Sequence, residues 1–466
     1  MTGNRFYHWI KVAIFVLPLV FAASAGNATE IKKVVSPGGI EAWLVEEHSI
    51  PLIAVQIGFR GGAATDPVGK AGLANMVSGL LDEGAGDLDS AAFQQQLEDR
   101  AIRLGFDARM DRFSGNMMTL SEERDDAFRL LGLALNAPRF DDQPVVRIRK
   151  QIIVSLRHRL EDPNRIANQT WSEHLFGEHP YGRPVEGTEE SVSRVEVADL
   201  RKFVGERFTK DNLYVVVVGD ISAEALKSLL DTTFGALADS GPTVDTPAAR
   251  VRADGQVQVI EKDIPQSVVA FGHGAIKRDH PDWYAAYVLN YILGGGGFSS
   301  RLMNEVREKR GLAYSVGSYL YPYEQAGLFQ GHVATANARV SESIKLIRSE
   351  IARLRDAGPT AEELSNAKTY LTGSFPLSLD SNSKIARFLV MVRMRGLGID
   401  YIDERNSFIE AVTLDDLKRV ARTLFDPENM VFVVVGSPVD VSSSGPAKEP
   451  NVGSEKGAQR KPAGNG

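Results

Sequence analysis

Two stretches of the chain carry the same pattern of polar and apolar positions. Residues 208–219 read FTKDNLYVVVVG and residues 425–436 read FDPENMVFVVVG, each a polar turn with an Asn, an apolar run and a Gly. Asn212 and Asn429 are 217 residues apart, as are Gly219 and Gly436, and Asp199-Leu200 and Asp416-Leu417 keep that offset upstream. An offset held from Asp199 to Gly219 marks two copies of one domain, since the period is far too long for a solenoid array. Each copy opens on β-branched runs bounded by Gly, Pro and Asp, at 39–46 and 53–59 in the first and at 256–260 and 267–272 in the second. The 53–59 run is expected at a sheet edge. Between Ser341 and Arg355, Ile344, Ile347, Ile351 and Leu354 recur at spacings of three and four, which predicts an amphipathic helix. Strands and helices mix without strict alternation, so the expected class is α+β, with two homologous α/β-layer domains arising from internal duplication. The expected organisation is a first domain over 30–236, a linker over 237–254, a second domain over 255–440 and a disordered tail over 441–466, where apolar residues are almost absent.

The first 25 residues stand outside this scheme. Arg5 and Lys11 precede an apolar run from Val12 to Ala22 and an Ala23-Ser24-Ala25 cleavage signal, the layout of a secretory signal peptide. The run is short for a membrane span, so no stable span is expected beyond this segment. The chain has no cysteine, which excludes thiol catalysis, disulfides and Cys-ligated metal. Export without disulfides fits a bacterial protein that is periplasmic or secreted. A net charge of −7 spread along the chain gives no reason to expect a nucleic-acid partner.

Several motifs carry a family resemblance. Residues 59–63 (FRGGA) and 69–75 (GKAGLAN) lie in the first copy, as does the loop 179–188 (HPYGRPVEGT). The second copy contains 293–302 (LGGGGFSSRL) and 307–314 (REKRGLAY). With the duplication and the leader, these residues resemble the M16 (pitrilysin/insulinase) metallopeptidases over about residues 31–439, which implies the M16/LuxS-like metalloenzyme fold. Active members of that family carry His-x-x-Glu-His on the helix after the Gly-Leu-Ala turn and a further Glu downstream. Two His at i and i+4 share a helix face and bind zinc, and the Glu takes a proton from the bound water. The matching positions here are Asn75, Ser78 and Gly79, and the late Glu falls at about Ser155. Asn, Ser and Gly are poor zinc ligands. His174 and His179 are separated by Gly177 in a loop and do not share a helix face. No metal or other cofactor is therefore expected on this chain.

The resemblance assigns roles to what is kept. Arg307 and Tyr314 match a pair that faces the zinc of the other half across a chamber, where a Tyr hydroxyl can donate to an oxyanion and an Arg can hold substrate carbonyls. Gly295, Gly296 and Phe298 match substrate-binding positions, and the run Gly294–Gly297 is expected to be a flexible segment. Ser299 or Ser300 is expected to cap a helix through Leu302, Met303 and Val306 that ends at Gly311. Lys309 and Arg310 are expected to be solvated helix charges. The implied function is that of a non-catalytic, substrate-binding subunit, inactive alone, in a heterodimer with a zinc-bearing M16 partner and with an unfolded peptide as substrate. The alternative is an M16-fold scaffold or peptide-binding protein with no proteolytic role.

Overall fold

The apolar run Val215–Val218 is buried at every position, which a one-sided sheet does not require. Val215 and Val217 enter the core of the first copy, while Val216 and Val218 meet Ala386, Leu389 and Val390 from the second. The computed structural model describes residues 30–444; the leader and most of the 441–466 tail lie outside the described residues.

The first sheet contains Lys32–Val35 (β1), Glu41–Glu46 (β2), Leu52–Arg60 (β3), Arg103–Ala108 (β4), Arg112–Leu120 (β5) and Leu213–Gly219 (β6), in the order β1-β2-β6-β3-β5-β4. The second contains Val257–Glu261 (β7), Gln266–Ala275 (β8), Ala313–Pro322 (β9), Gly327–Ala336 (β10) and Val431–Gly436 (β11), in the order β7-β11-β8-β10-β9. From β2 onward the two orders are the same. In each sheet one pair is parallel, β2 with β6 and β7 with β11, and the strands beyond it are antiparallel. The duplication read from residues 199–219 thus extends to five strands of each sheet, with β1 as the addition of the first.

Each sheet covers one face with its own helices and the other with a helix from the opposite copy. The Pro163–Phe176 helix of the first copy lies on β8 and β11, with Ala167, Trp171 and Leu175 at i, i+4 and i+8 facing Ala270, Val431, Val433 and Val435. The Asn382–Met394 helix of the second copy lies on β3 and β6. Adding 217 to 163–176 gives 380–393, so the two are the same helix, exchanged. Glycines mark both crossings. A Cβ on Gly58 would lie 2.4 Å from Met394 Sδ, and one on Gly272 would lie 2.9 Å from Trp171 Cζ2. Gly58 pairs with Tyr214 and Gly272 with Val431, and these two partners are again 217 apart, so both sheets are thinned at the same place to admit a large side chain.

The strand at 53–59 departs from expectation. β3 is central, paired along its length with β5 and over Ile53–Phe59 with β6, so its backbone is not free to take another strand. The sheet edges are β1 and β4 in the first copy and β7 and β9 in the second. Apolar alternation does not distinguish edge from centre, because Ile53, Val55, Ile57 and Phe59 are buried under one face either way. The linker is held down by His174, which stands in the last turn of the Pro163–Phe176 helix rather than in the expected loop, and by His179 just beyond it. His174 Nε2 lies 2.9 Å from Asp254 Oδ1, and His179 Nε2 lies 2.8 Å from the Pro247 carbonyl. At the far end, Ser443 and Ser444 bind the outer edge of β7, through Val259 N to Ser443 Oγ (2.9 Å) and Ser444 N to the Val257 carbonyl (2.9 Å). The start of the tail is therefore ordered, since β7 offers unpaired backbone donors and acceptors there.

Candidate functional site

The helix that would carry a zinc motif is Leu73–Ser78, six residues long. Its N-terminus is bound by Asp66, whose carboxylate accepts from Gly72 N (2.8 Å) and Ala74 N (3.0 Å). Gly79 caps its end, so the position of the second His falls at the helix terminus. Ser78 Oγ donates back to the Asn75 carbonyl at 2.8 Å. A Cβ at Gly79 would lie 3.3 Å from Ile148 Cγ2, a tight contact to which Ile148 would have to yield. Ser155 lies on the Asp142–Arg159 helix, two turns beyond Ile148 and exposed. These residues do not fit a zinc ion, in donor type or in helix geometry. Among the described residues no three His, Cys, Asp or Glu side chains come together as a metal site.

The HPYG loop has a structural task that the sequence did not reveal. Tyr181 is buried, and its hydroxyl donates to Asp111 Oδ1 at 2.6 Å while accepting from Gln325 N at 3.0 Å. Asp111 Oδ2 accepts from Glu324 N at 3.0 Å. The β4–β5 turn, the loop and the β9–β10 turn of the other copy are thereby joined. Burial raises the pKa of Asp111, while the Tyr181 hydroxyl pulls it down. The Asp in the turn before β5 was the available sequence signal, but nothing in its spacing to Tyr181 announces the contact.

The retained motif of the second copy forms a corner at the start of β9. The chain reaches it by the Trp283–Asn290 helix and a wider turn closed by Gly296 N to the Tyr291 carbonyl, an i to i+5 bond of 2.8 Å. A Cβ at Gly294 would fall 2.4 Å from Ser318 Oγ and one at Gly296 would fall 2.9 Å from the Tyr291 carbonyl. Gly294 to Gly296 are thus glycines because other atoms press on them, whereas Gly297, with φ of +57° and open space where a Cβ would stand, is a glycine for its backbone. Gly295 and Phe298 are exposed and Gly296 is half-buried.

After Ser300 the helical turn widens again, with Lys309 N bonded to the Asn304 carbonyl at 2.9 Å. Met303 N is held by Ser300 Oγ at 3.4 Å, and Gly311, with φ of +57°, ends the element. The cap and stop expected at Ser300 and Gly311 are present, but most of the element is wound more widely than an α-helix. Val306, Leu302 and Met303 face the core. Arg307 turns the other way: its guanidinium carbon lies 4.7 Å from the ring centre of Phe298 and 5.1 Å from that of Tyr314. Tyr314 is 77% exposed and Phe298 66% exposed. A cation between two aromatic faces is held by their quadrupoles, by about 0.5–1 kcal/mol at such exposed sites. Arg307 also approaches Glu308 loosely at 3.7 Å.

Lys309 and Arg310 are not free solvated charges. Lys309 Nζ donates to Glu305 Oε1 at 2.7 Å, and Arg310 Nη1 donates to Glu305 Oε2 at 2.6 Å and to the Glu305 carbonyl at 2.9 Å. Glu305 is buried, so its charge needs these partners. The Lys309 and Arg310 hydrogen bonds pull its pKa below the usual value of 4.5. A lowered pKa means a contribution present in full above pH 4.5 and lost as pH falls through the lowered value. Glu305→Gln should therefore cost roughly 1–3 kcal/mol at pH 7. The gap between parent and variant unfolding midpoints should narrow from pH 6 to pH 3. A gap independent of pH would show that Glu305 does not carry this charge.

Comparison with known proteins places this geometry. Residues 194–371 match the family model described as the peptidase M16 inactive domain. A non-peptidase homolog, YmxG, of Helicobacter pylori is 26% identical over 393 residues, covering 84% of this chain and 90% of the relative. A protein named as an uncharacterized zinc protease, YmxG, of Bacillus subtilis is 25% identical over 415 residues, covering 87% and 98%. The crystal structure of a peptidase M16 inactive domain from Pseudomonas fluorescens matches with a TM-score of 0.83 and 26% identity, over 89% of this chain and 99% of that one. A Helicobacter pylori protease has the same fold, with a TM-score of 0.80 at 20% identity over 88% and 100% of the two chains. Residues 194–371 thus match the peptidase M16 inactive domain, and over most of its length the chain is similar to proteins of that kind in sequence and fold.

Proposed function

We propose that this chain is the substrate-binding, non-catalytic subunit of a two-subunit M16 zinc peptidase. The observation that carries the proposal is the Arg307 guanidinium stacked against the exposed rings of Phe298 and Tyr314, beside edge strand β9. A protein that only fills space has no need of a solvent-facing cation and phenol held together. Gly295, Gly296 and Phe298 border that corner and take part in holding the peptide, and the outer edge of β9 offers backbone groups to an extended chain. The zinc and the general base belong to the partner subunit. Tyr314 and Arg307 reach the bound peptide from this side, the first as a hydroxyl donor to developing negative charge, the second as a holder of carbonyl groups. The leader implies that the pair works outside the cytoplasm, in the periplasm or beyond. Among the described residues no helix is long and apolar enough to cross a membrane.

The test is purification of the chain alone and with a zinc-bearing M16 subunit, followed by metal analysis and cleavage of unfolded peptides in the presence of zinc. The chain alone should hold no stoichiometric zinc and cleave nothing; the pair should cleave. Zinc-dependent cleavage by the lone chain would overturn the reading. A stable pair whose cleavage needs nothing from this chain would make it a scaffold.

A further inference from the structure

A recess of about 370 Å³ runs along the Asn382–Met394 helix and past its end, within the 300–1,000 Å³ usual for small-ligand sites. Its floor is apolar, formed by Phe388, Met391 and Leu397, and its basic groups are Arg278, Arg387, Arg395 and Lys384. Lys384 is paired with Asp380 at 2.8 Å. The three arginines are not paired with any carboxylate among the described residues. Arg278 is fixed in an aromatic cage. Its guanidinium carbon lies 5.1 Å from the ring centres of Trp283 and Tyr284 and 5.6 Å from that of Tyr401, and its Nη2 donates to the hydroxyls of Tyr284 (3.1 Å) and Tyr401 (3.0 Å). Burial pushes the Tyr284 hydroxyl up to about 12, so it supplies no counter-charge. Arg395 is reached by solvent yet enclosed enough that burial, with Arg278 and Arg112 nearby, brings it down to about 10. Three arginines without a paired carboxylate, over an apolar floor, suit a partner that is acidic at one end and apolar beside it.

We propose that this recess binds the C-terminal carboxylate of a peptide whose last side chain is apolar. A guanidinium fork matches a carboxylate in two parallel hydrogen bonds, and Arg278, pre-positioned by its cage, loses little freedom in making them. Arg387 and Arg395, on the same helix and just past its end, close over the charge, and the terminal side chain lies on Phe388, Met391 and Leu397. Bare phosphate would leave that floor uncovered. The recess shares no residue with the Arg307 corner. The inference rests on reading the chain as a peptide-binding subunit and adds that it selects chain ends.

The experiment uses the full chain after its leader, without partner or zinc, so its outcome is independent of any catalysis. Binding of a labelled octapeptide ending in Phe is measured by fluorescence anisotropy, as the free acid and as the C-terminal amide, alongside a free acid ending in Ser. The amide and the Ser peptide should each bind about tenfold or more weakly than the Phe acid, and Arg387→Gln and Arg395→Gln should each lose a similar factor. Equal binding of acid and amide by the parent protein would overturn the proposal, and that arm needs no variant to fold. Decanoate offers the same carboxylate and apolar chemistry from a lipid source. If decanoate or inorganic phosphate displaces the Phe acid at concentrations below those of unlabelled peptide, the site is not a peptide-end site.

Discussion

Trp171→Ala should cost the folded chain about 3–5 kcal/mol, the range for emptying a fully buried aromatic site. Trp171 is 0% exposed and sits where the Pro163–Phe176 helix of the first copy crosses the sheet of the second. Gly272 leaves the space it fills, so no neighbouring side chain can move in from the strand below. The loss should not stay local, because the same helix carries Leu175 and Phe176, and the Leu175 carbonyl accepts from Arg252 N of the linker at 2.8 Å. Chemical unfolding followed by circular dichroism measures the shift in midpoint, and limited proteolysis should cut the variant first in the 237–254 linker. A loss below about 1 kcal/mol would mean that the two copies are held together elsewhere. Trp171→Phe, which keeps most of the volume, should cost less.

On the proposed function, Tyr314→Phe should lower kcat/KM of the pair with a zinc-bearing subunit by about 10²–10³-fold, the usual effect of removing one oxyanion donor. The change deletes a single oxygen from a side chain that is 77% exposed, so folding and pairing with the zinc-bearing subunit should be unaffected. The Phe ring also keeps its face toward Arg307, preserving the stack at 5.1 Å. Steady-state cleavage together with gel filtration of the complex separates the two effects. Unchanged turnover would return Tyr314 to a packing role, and a dissociated complex would make it an interface residue.

Much of this architecture could be read from the residues. The Asp199–Gly219 repeat predicts the duplication, and the periodicity at Ile344, Ile347, Ile351 and Leu354 predicts the helix observed over Val340–Ala357. The positions of Asn75, Ser78, Gly79 and Ser155 predict a chain without a zinc set, because ligand chemistry is local to the side chain. Contacts between distant segments were not legible. Nothing local says that β3 has neighbours on both sides, or that Gly294 is a glycine because Ser318 presses on it. Lys309 and Arg310 read as surface charges, since Glu305 looks as exposed as they do until its burial is seen. The exchange of helices was also hidden, although the unbroken apolar runs at 215–218 and 431–435 already required a second cover for each sheet.

That exchange has a consequence for how such a chain could arise. Each copy lends the equivalent helix to the other's sheet, through Trp171 in one direction and Met394 in the other. Cutting between residues 237 and 254 on paper leaves two chains, each with an arm laid across its neighbour: the pattern of a swapped homodimer with a two-fold axis. Joining two such chains end to end makes their association intramolecular and independent of concentration. It also frees the two copies from being identical. One could then lose a set of metal ligands while the other kept Arg307 and Tyr314, a division of roles that a symmetric pair of identical chains could never make.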